Sequence, residues 1–206
     1  MRPGLFITLE GIDGSGKSTQ SIRLNERLAK EGYKTGLHVE PTKGPIGTEV
    51  RRILRKGGTD ISVLPWLFAA DRALHCNEIK YRLSVGDNVV CDRYYLSALA
   101  YQSLNWPMGY IWEINKHFLR PDLILFIDTP VTVCVERLVG REGDAEYFEK
   151  RELLELVRNN YEQAIMLMEA TFVEQGSNHR IARINGDQTE EELAEQVWEV
   201  VHAHMT

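Results

Sequence analysis

Short apolar runs recur along the chain at Leu5–Leu9, Thr35–Val39, Asn88–Cys91, Leu123–Ile127 and Arg180–Ile184. Val89-Val90-Cys91 and Leu123-Ile124-Leu125-Phe126-Ile127 do not alternate with polar residues, as expected of strands covered on both faces. Between the runs lie amphipathic stretches. Lys17–Glu31 sets Ile22, Leu24 and Leu28 toward a core and stops at Gly32, a residue suited to a helix C-cap. Further helices are predicted over Ile46–Arg55, Leu64–Leu83, Ser97–Ser103, Met108–Leu119, Val131–Val139 and Arg151–Val173. The last predicted helix, Glu190–His204, is introduced by Thr189 with Glu192 three residues on, a capping box. Strands alternating with helices predict an α/β three-layer sandwich: a five-stranded parallel sheet flanked by helices. No repeat, linker or low-complexity stretch divides the 206 residues, so a single domain over 1–206 is expected.

In sheets of this kind ligands bind beyond the carboxyl ends of the strands. Those ends read Glu10-Gly11, Val39-Glu40-Pro41, Asp92-Arg93, Asp128-Thr129-Pro130 and Asn185-Gly186-Asp187, and charge is concentrated there. The first leads into Gly11-Ile12-Asp13-Gly14-Ser15-Gly16-Lys17-Ser18, which matches G-x-x-x-x-G-K-[ST] with a strand before it and a helix after it. Glycines let backbone N–H groups approach phosphate oxygens, and the helix that follows offers the positive end of its dipole. Lys17 has the reach for the β- and γ-phosphates, and the Ser18 hydroxyl suits Mg²⁺. A nucleoside triphosphate site is expected over Gly11–Thr19.

Composition narrows the setting. Hydrophobic residues make up 43% and charged residues 26%, as in ordinary globular proteins. A net charge of -6 argues against a general nucleic-acid binder. Cys76, Cys91 and Cys134 are odd in number and widely spaced, which suggests neither a disulfide framework nor a zinc site. With no membrane-length apolar stretch and no signal-peptide pattern, a cytoplasmic protein is expected.

Several further residues suit phosphate chemistry. Asp92 ends the strand next to the loop, where a Mg²⁺-orienting carboxylate belongs, and Arg93 would enter the same crevice; the structural alternative is an Asp–Arg pair at a helix start. Asp13 inside the loop is electrostatically costly beside a triphosphate unless it serves a sugar hydroxyl or faces the cation. Phe68 and Arg72 share a helix face and could stack on a base and bond its edge, although Asp71-Arg72 also reads as a solvated pair. Arg137, Arg141 and Lys150 flank a Gly-containing loop that could close as a lid around 138–150, or remain a surface loop. Asp128-Thr129-Pro130 reads as a turn and helix start, the histidines show no metal-ligand spacing, and Tyr94, Tyr95 and Trp106 read as packing.

Taken in order, Leu9–Gln20, Glu40-Pro41, Phe68-Ala-Ala-Asp-Arg72, Asp92-Arg93-Tyr94 with Ser97, Ala100-Tyr101-Gln102 and Pro121-Asp122-Leu123 resemble the thymidylate kinase family over essentially the whole chain. The resemblance implies a P-loop NTP hydrolase type fold and transfer of the γ-phosphoryl of ATP to dTMP, giving ADP and dTDP, with Mg²⁺ at Ser18 and Asp92. It implies that Phe68 stacks on thymine, Arg72 bonds its edge and Gln102 approaches the base. Arg93 would hold the acceptor phosphate, while Tyr101 packs on the deoxyribose and Asp13 contacts its side of the acceptor. A homodimer is also implied. With Gly14 where some members carry a basic residue, the transition-state cation is expected from the lid, Arg141 first and Arg137 or Lys150 otherwise. The chain departs from the pattern at Val39, at Thr42-Lys43, and at Ala98, where a polar side chain often reads the base. The rival readings are a kinase for another nucleoside monophosphate or for a deoxynucleoside, whose hydroxyl needs a base for which Glu40 is the candidate, and a nucleotide-switch ATPase; the last lacks any use for the Phe68/Arg72 and Asp92/Arg93 pairs.

Overall fold

A computed structural model describes residues 4–56, 61–139, 145–174 and 179–205. Five strands, β1 (Phe6–Glu10), β2 (Thr35–Val39), β3 (Asn88–Asp92), β4 (Leu123–Asp128) and β5 (Arg180–Asn185), form one sheet in the order β2-β3-β1-β4-β5. Every neighbouring pair is parallel. The helices are α1 (Lys17–Lys30), α2 (Pro45–Lys56), α3 (Leu64–Ser84), α4 (Tyr95–Gln102), α5 (Met108–Asn115), α6 (Val131–Val139), α7 (Ala145–Glu174) and α8 (Glu190–Met205). Strand residues divide between two cores. Phe6, Val89, Cys91, Ile124 and Phe126 join residues of α3 to α7, while Ile7, Leu9, Val90, Leu123, Leu125 and Ile127 join α1 and α8. Burial on both faces is why these strands read as unbroken apolar runs. The three-layer parallel fold is the one the sequence predicts.

Four local expectations change. Ile22 is 47% exposed, because it stands two residues from Leu24, across the helix from the buried Leu24–Leu28 stripe. α4 starts at Tyr95, and Ser97 lies inside it with its hydroxyl directed to Glu10. α5 stops at Asn115 instead of Leu119; the Asn115 amide donates to the Ile111 carbonyl at 2.7 Å while its oxygen accepts from Arg72. α7 starts at Ala145, six residues before the predicted Arg151. The Gly32 cap holds, at φ 86 with Tyr33 N–H on the Leu28 carbonyl at 3.0 Å. So does the capping box, with Glu192 accepting from the Thr189 N–H at 3.0 Å. Arg141 and the core of the expected lid, residues 140–144, lie outside the described residues.

Glu10 closes β1 with its carboxylate fully enclosed. Oε1 accepts the Tyr94 N–H at 2.8 Å, and Oε2 accepts the Ser97 hydroxyl and lies 3.4 Å from the Tyr161 hydroxyl. Three donors from two elements therefore converge on one carboxylate, which fastens α4 and α7 to the strand end. Burial pushes the Glu10 carboxyl up to about 7, against the pull of Ser97, Arg93 and the Tyr94 amide. A folded pKa above the unfolded one means stability from this group is full below the unfolded value and is lost as pH rises toward 7. Glu10→Gln keeps an acceptor and a donor in place without titrating. Its melting temperature is expected to fall less than that of the parent between about pH 5 and 7.5. Thermal melts across this range check it; parallel curves would show that Glu10 does not titrate there.

Candidate active site

The loop between β1 and α1 is anchored at its base. Ile12 is buried in the larger core, the Ser15 N–H bonds the Ile12 carbonyl at 3.2 Å, and the Thr129 hydroxyl donates to the Ser15 carbonyl at 3.1 Å. Gly16 precedes α1 at φ 97 and no side chain caps the helix, so its first N–H groups are left for an anion. Lys17 crosses under the loop, its Nζ donating to the Ile12 carbonyl at 3.2 Å and lying 3.7 Å from Asp13 Oδ1. Burial lowers its pKa to about 8.

The Ser18 hydroxyl donates to Asp92 Oδ2. Asp92 Oδ1 is buried with no hydrogen-bond partner among the described residues. A carboxylate oxygen in need of a partner beside a hydroxyl fits Mg²⁺, which takes few protein ligands and completes its shell with phosphates and water. No group of three or more His, Cys, Asp or Glu among the described residues is arranged for a metal, which fits that sparse coordination.

Arg93 follows β3 with φ 69, a left-handed backbone that is uncommon for a side chain of this size. Its N–H bonds the Leu9 carbonyl at 3.0 Å. The guanidinium meets Asp13 Oδ1, lies 3.1 Å from Ser97 Oγ and 3.4 Å from the hydroxyls of Tyr101 and Tyr161, and sits 4.9 Å from the Tyr101 ring centre. Tyr101 also accepts the Asp13 N–H at 3.0 Å. Burial opposes ionisation of Asp13, but Arg93, Lys17 and Lys150 hold its carboxyl below the usual range. Asp13 thus pairs with the cations of both halves of the crevice. Arg137 on α6 donates to the Gly14 carbonyl at 3.1 Å.

Beyond Arg93 opens a cleft of about 390 Å³ lined by Phe68, Arg72, Ala98, Tyr101, Gln102 and Trp106 among others. Both amide atoms of Gln102 are buried and unpartnered among the described residues. Arg72, only 1% exposed, is held by Glu40 through Nε at 2.9 Å and Nη2 at 2.6 Å, and by Asn115 through Nη1. Three expectations are corrected here. Asp71 is 2% exposed and neither solvated nor paired with Arg72; it clamps Thr42 through its N–H at 2.7 Å and hydroxyl at 2.6 Å. Trp106 lines the cleft and stacks on Tyr110 at 5.3 Å, rather than serving packing alone. Glu40, read from the sequence as a possible base, is committed to Arg72 and His75. Asn115 and Tyr161 carried no signal in the sequence, and His75 stood there only among histidines without metal-ligand spacing. Arg72 and the Glu40-Pro41 pair at a strand end signalled part of this network.

Residues 9–187 match the family model for thymidylate kinase. The chain is 39% identical over 171 residues to the probable thymidylate kinase of Thermococcus onnurineus, covering 76% of this chain and 82% of that protein. It is 42% identical to the probable thymidylate kinase of Pyrococcus horikoshii, over 77% and 81% of the two chains. To that of Natronomonas pharaonis it is 37% identical, over 96% and 97%. The family model over residues 9–187 and these relatives establish that the chain belongs to the thymidylate kinase family.

Proposed function

We propose that the chain transfers the γ-phosphoryl of ATP to dTMP, with Gly11–Thr19 cradling the donor and the Phe68–Gln102 cleft holding the acceptor. The observation that carries this reading is the Asp13–Arg93 pair, with Lys17 beside it, where the phosphate loop and the cleft open onto each other. A phosphate monoester has its second pKa at about 6, so the acceptor is already largely dianionic at neutral pH. No general base is required; Glu10 is enclosed and Glu40 is bound to Arg72. What must be overcome is repulsion between two polyanions. Lys17 and the α1 amides offset the charge of the donor, and Arg93 that of the acceptor. When bound at Ser18 and Asp92, Mg²⁺ supplies further neutralisation of the phosphate oxygens. Phe68 is the proposed stacking surface for thymine, with Arg72 and Gln102 at its edge and Tyr101 against the sugar. Arg141 is the proposed lid cation, with Arg137 or Lys150 as the alternative, in a single domain whose lid lies around 138–150.

A homodimer is part of the proposal. Leu74 and Tyr81, two turns apart on α3, stand 59% and 65% exposed on one face, away from the strand ends. No described helix is long and apolar enough to cross a membrane. The three cysteines are buried and free, in keeping with a cytoplasmic enzyme.

An ADP-release assay with a panel of nucleoside monophosphates and nucleosides is expected to respond to dTMP above all others. A response to another acceptor would shift the assignment within the kinases, and no acceptor dependence would favour a switch ATPase. Lys17→Ala and Arg93→Ala are each expected to lose on the order of 10²–10³-fold in kcat, with the circular dichroism spectrum retained. Near-parental turnover in either would remove that residue from the mechanism.

A further inference from the structure

The Arg72 guanidinium is held from behind by a chain of polar groups that starts in a different cleft. His75, one turn along α3, directs Nδ1 to Glu40 Oε1 at 2.8 Å, and its Nε2 lies 3.0 Å from His38 Nδ1. The two imidazoles stack at 5.1 Å with 30° between their planes. His38 is half-buried and lines a cleft of about 400 Å³ that also contains Ser18, Asp92 and Glu78. Because an ionised carboxylate only accepts, His75 Nδ1 carries the proton toward Glu40; in the neutral imidazole Nε2 is then the acceptor facing His38.

The geometry at Glu40 is asymmetric. One oxygen, Oε2, takes both Nε and Nη2 of Arg72, while the other is occupied by His75. A free carboxylate facing a guanidinium tends to a bidentate arrangement with one N–H on each oxygen. His75 takes one acceptor site of Oε1 and holds the carboxylate turned so that Oε2 alone meets Arg72. The terminal nitrogens of Arg72 each spend one N–H on Glu40 or Asn115 and keep one for another acceptor, and Arg72 lines the acceptor cleft.

We propose that His75 is a positioning residue for recognition of the acceptor base: by occupying Glu40 Oε1 it fixes the plane of the Arg72 guanidinium, with His38 fixing its ring in turn. This rests on the dTMP kinase reading, in which Arg72 bonds the edge of the base. Thymine and cytosine differ on their edge, a carbonyl against an amino group at C4, so a turned guanidinium loses discrimination between them.

The test is steady-state kinetics of full-length parent, His75→Leu and His75→Asn enzymes with ATP, dTMP and dCMP. Loss of one well-aimed hydrogen bond corresponds to about tenfold. In His75→Leu the KM for dTMP is expected to rise, and the dTMP-over-dCMP preference in kcat/KM to fall, each by about this factor, with the KM for ATP unchanged. His75→Asn keeps an N–H donor at the δ position and is expected to restore both. Should His75→Leu not fold, His38→Leu is measured instead, and the same direction of change is expected from loosening the His75 ring. Retention of the parental KM and preference overturns the proposal, as does a loss of kcat alone in proportion to lost folded protein. A parent enzyme inactive on dTMP overturns the kinase reading itself, whereas an active, dTMP-selective parent with insensitive variants overturns only the role of His75.

Discussion

A carboxylate sealed inside a protein must be supplied with donors, and at Glu10 that requirement organises the site. The Tyr94 amide and the Ser97 hydroxyl bring the start of α4 to the end of β1, and the Tyr161 hydroxyl brings the middle of α7. With Tyr94 fixed on one side and β3 on the other, the residue between them turns through a left-handed backbone. That residue is Arg93. The cation between the phosphate loop and the cleft is therefore aimed by a carboxylate that lines neither.

The polar groups around the cleft fall into two kinds. One kind is fully engaged, as in the Glu40–Arg72–Asn115 and Asp71–Thr42 contacts, and buried satisfied networks of this sort resist deformation. The other is buried but unsatisfied among the described residues: Asp92 Oδ1, Ser15 Oγ and the Gln102 amide, along with side-chain oxygens of Thr8, Gln20, Tyr95 and Ser103. Leaving such atoms unpaired is costly. Of these, Asp92 ends β3 beside Ser18, Ser15 lies in the phosphate loop and Gln102 lines the cleft beyond Arg93, where a bound species would complete them.

The sheet and the loop were legible in the sequence because both rest on local pattern. Apolar runs such as Leu123–Ile127 declare strands buried on two faces, and Gly11–Ser18 follows one of them directly. The juxtaposition of Ser18 with Asp92 was legible for a related reason, since a strand end beside the loop fixes where its last residue lies. What escaped depends on which distant elements meet. Arg72 and Asp71 look like an adjacent ion pair on a helix surface; folded, they turn to Glu40 and Thr42, across some 30 residues of chain. Asn115, the last residue of α5, gives its side-chain oxygen to Arg72, 43 residues away. Nothing in the periodicity of either helix encodes such contacts.

Gly14 shows how such commitments limit later change. At φ 82, with the Cys134 carbonyl oxygen 2.5 Å from where a β-carbon would stand, position 14 admits no side chain while α6 lies where it does. The same helix delivers Arg137 to the Gly14 carbonyl. A positive charge in the loop and one delivered by α6 are thus alternatives that exclude each other sterically. A lineage with this arrangement cannot pass to the other by a single substitution; α6 would have to withdraw first, and Arg137 with it. The glycine and the approach of α6 are one constraint: neither changes without the other.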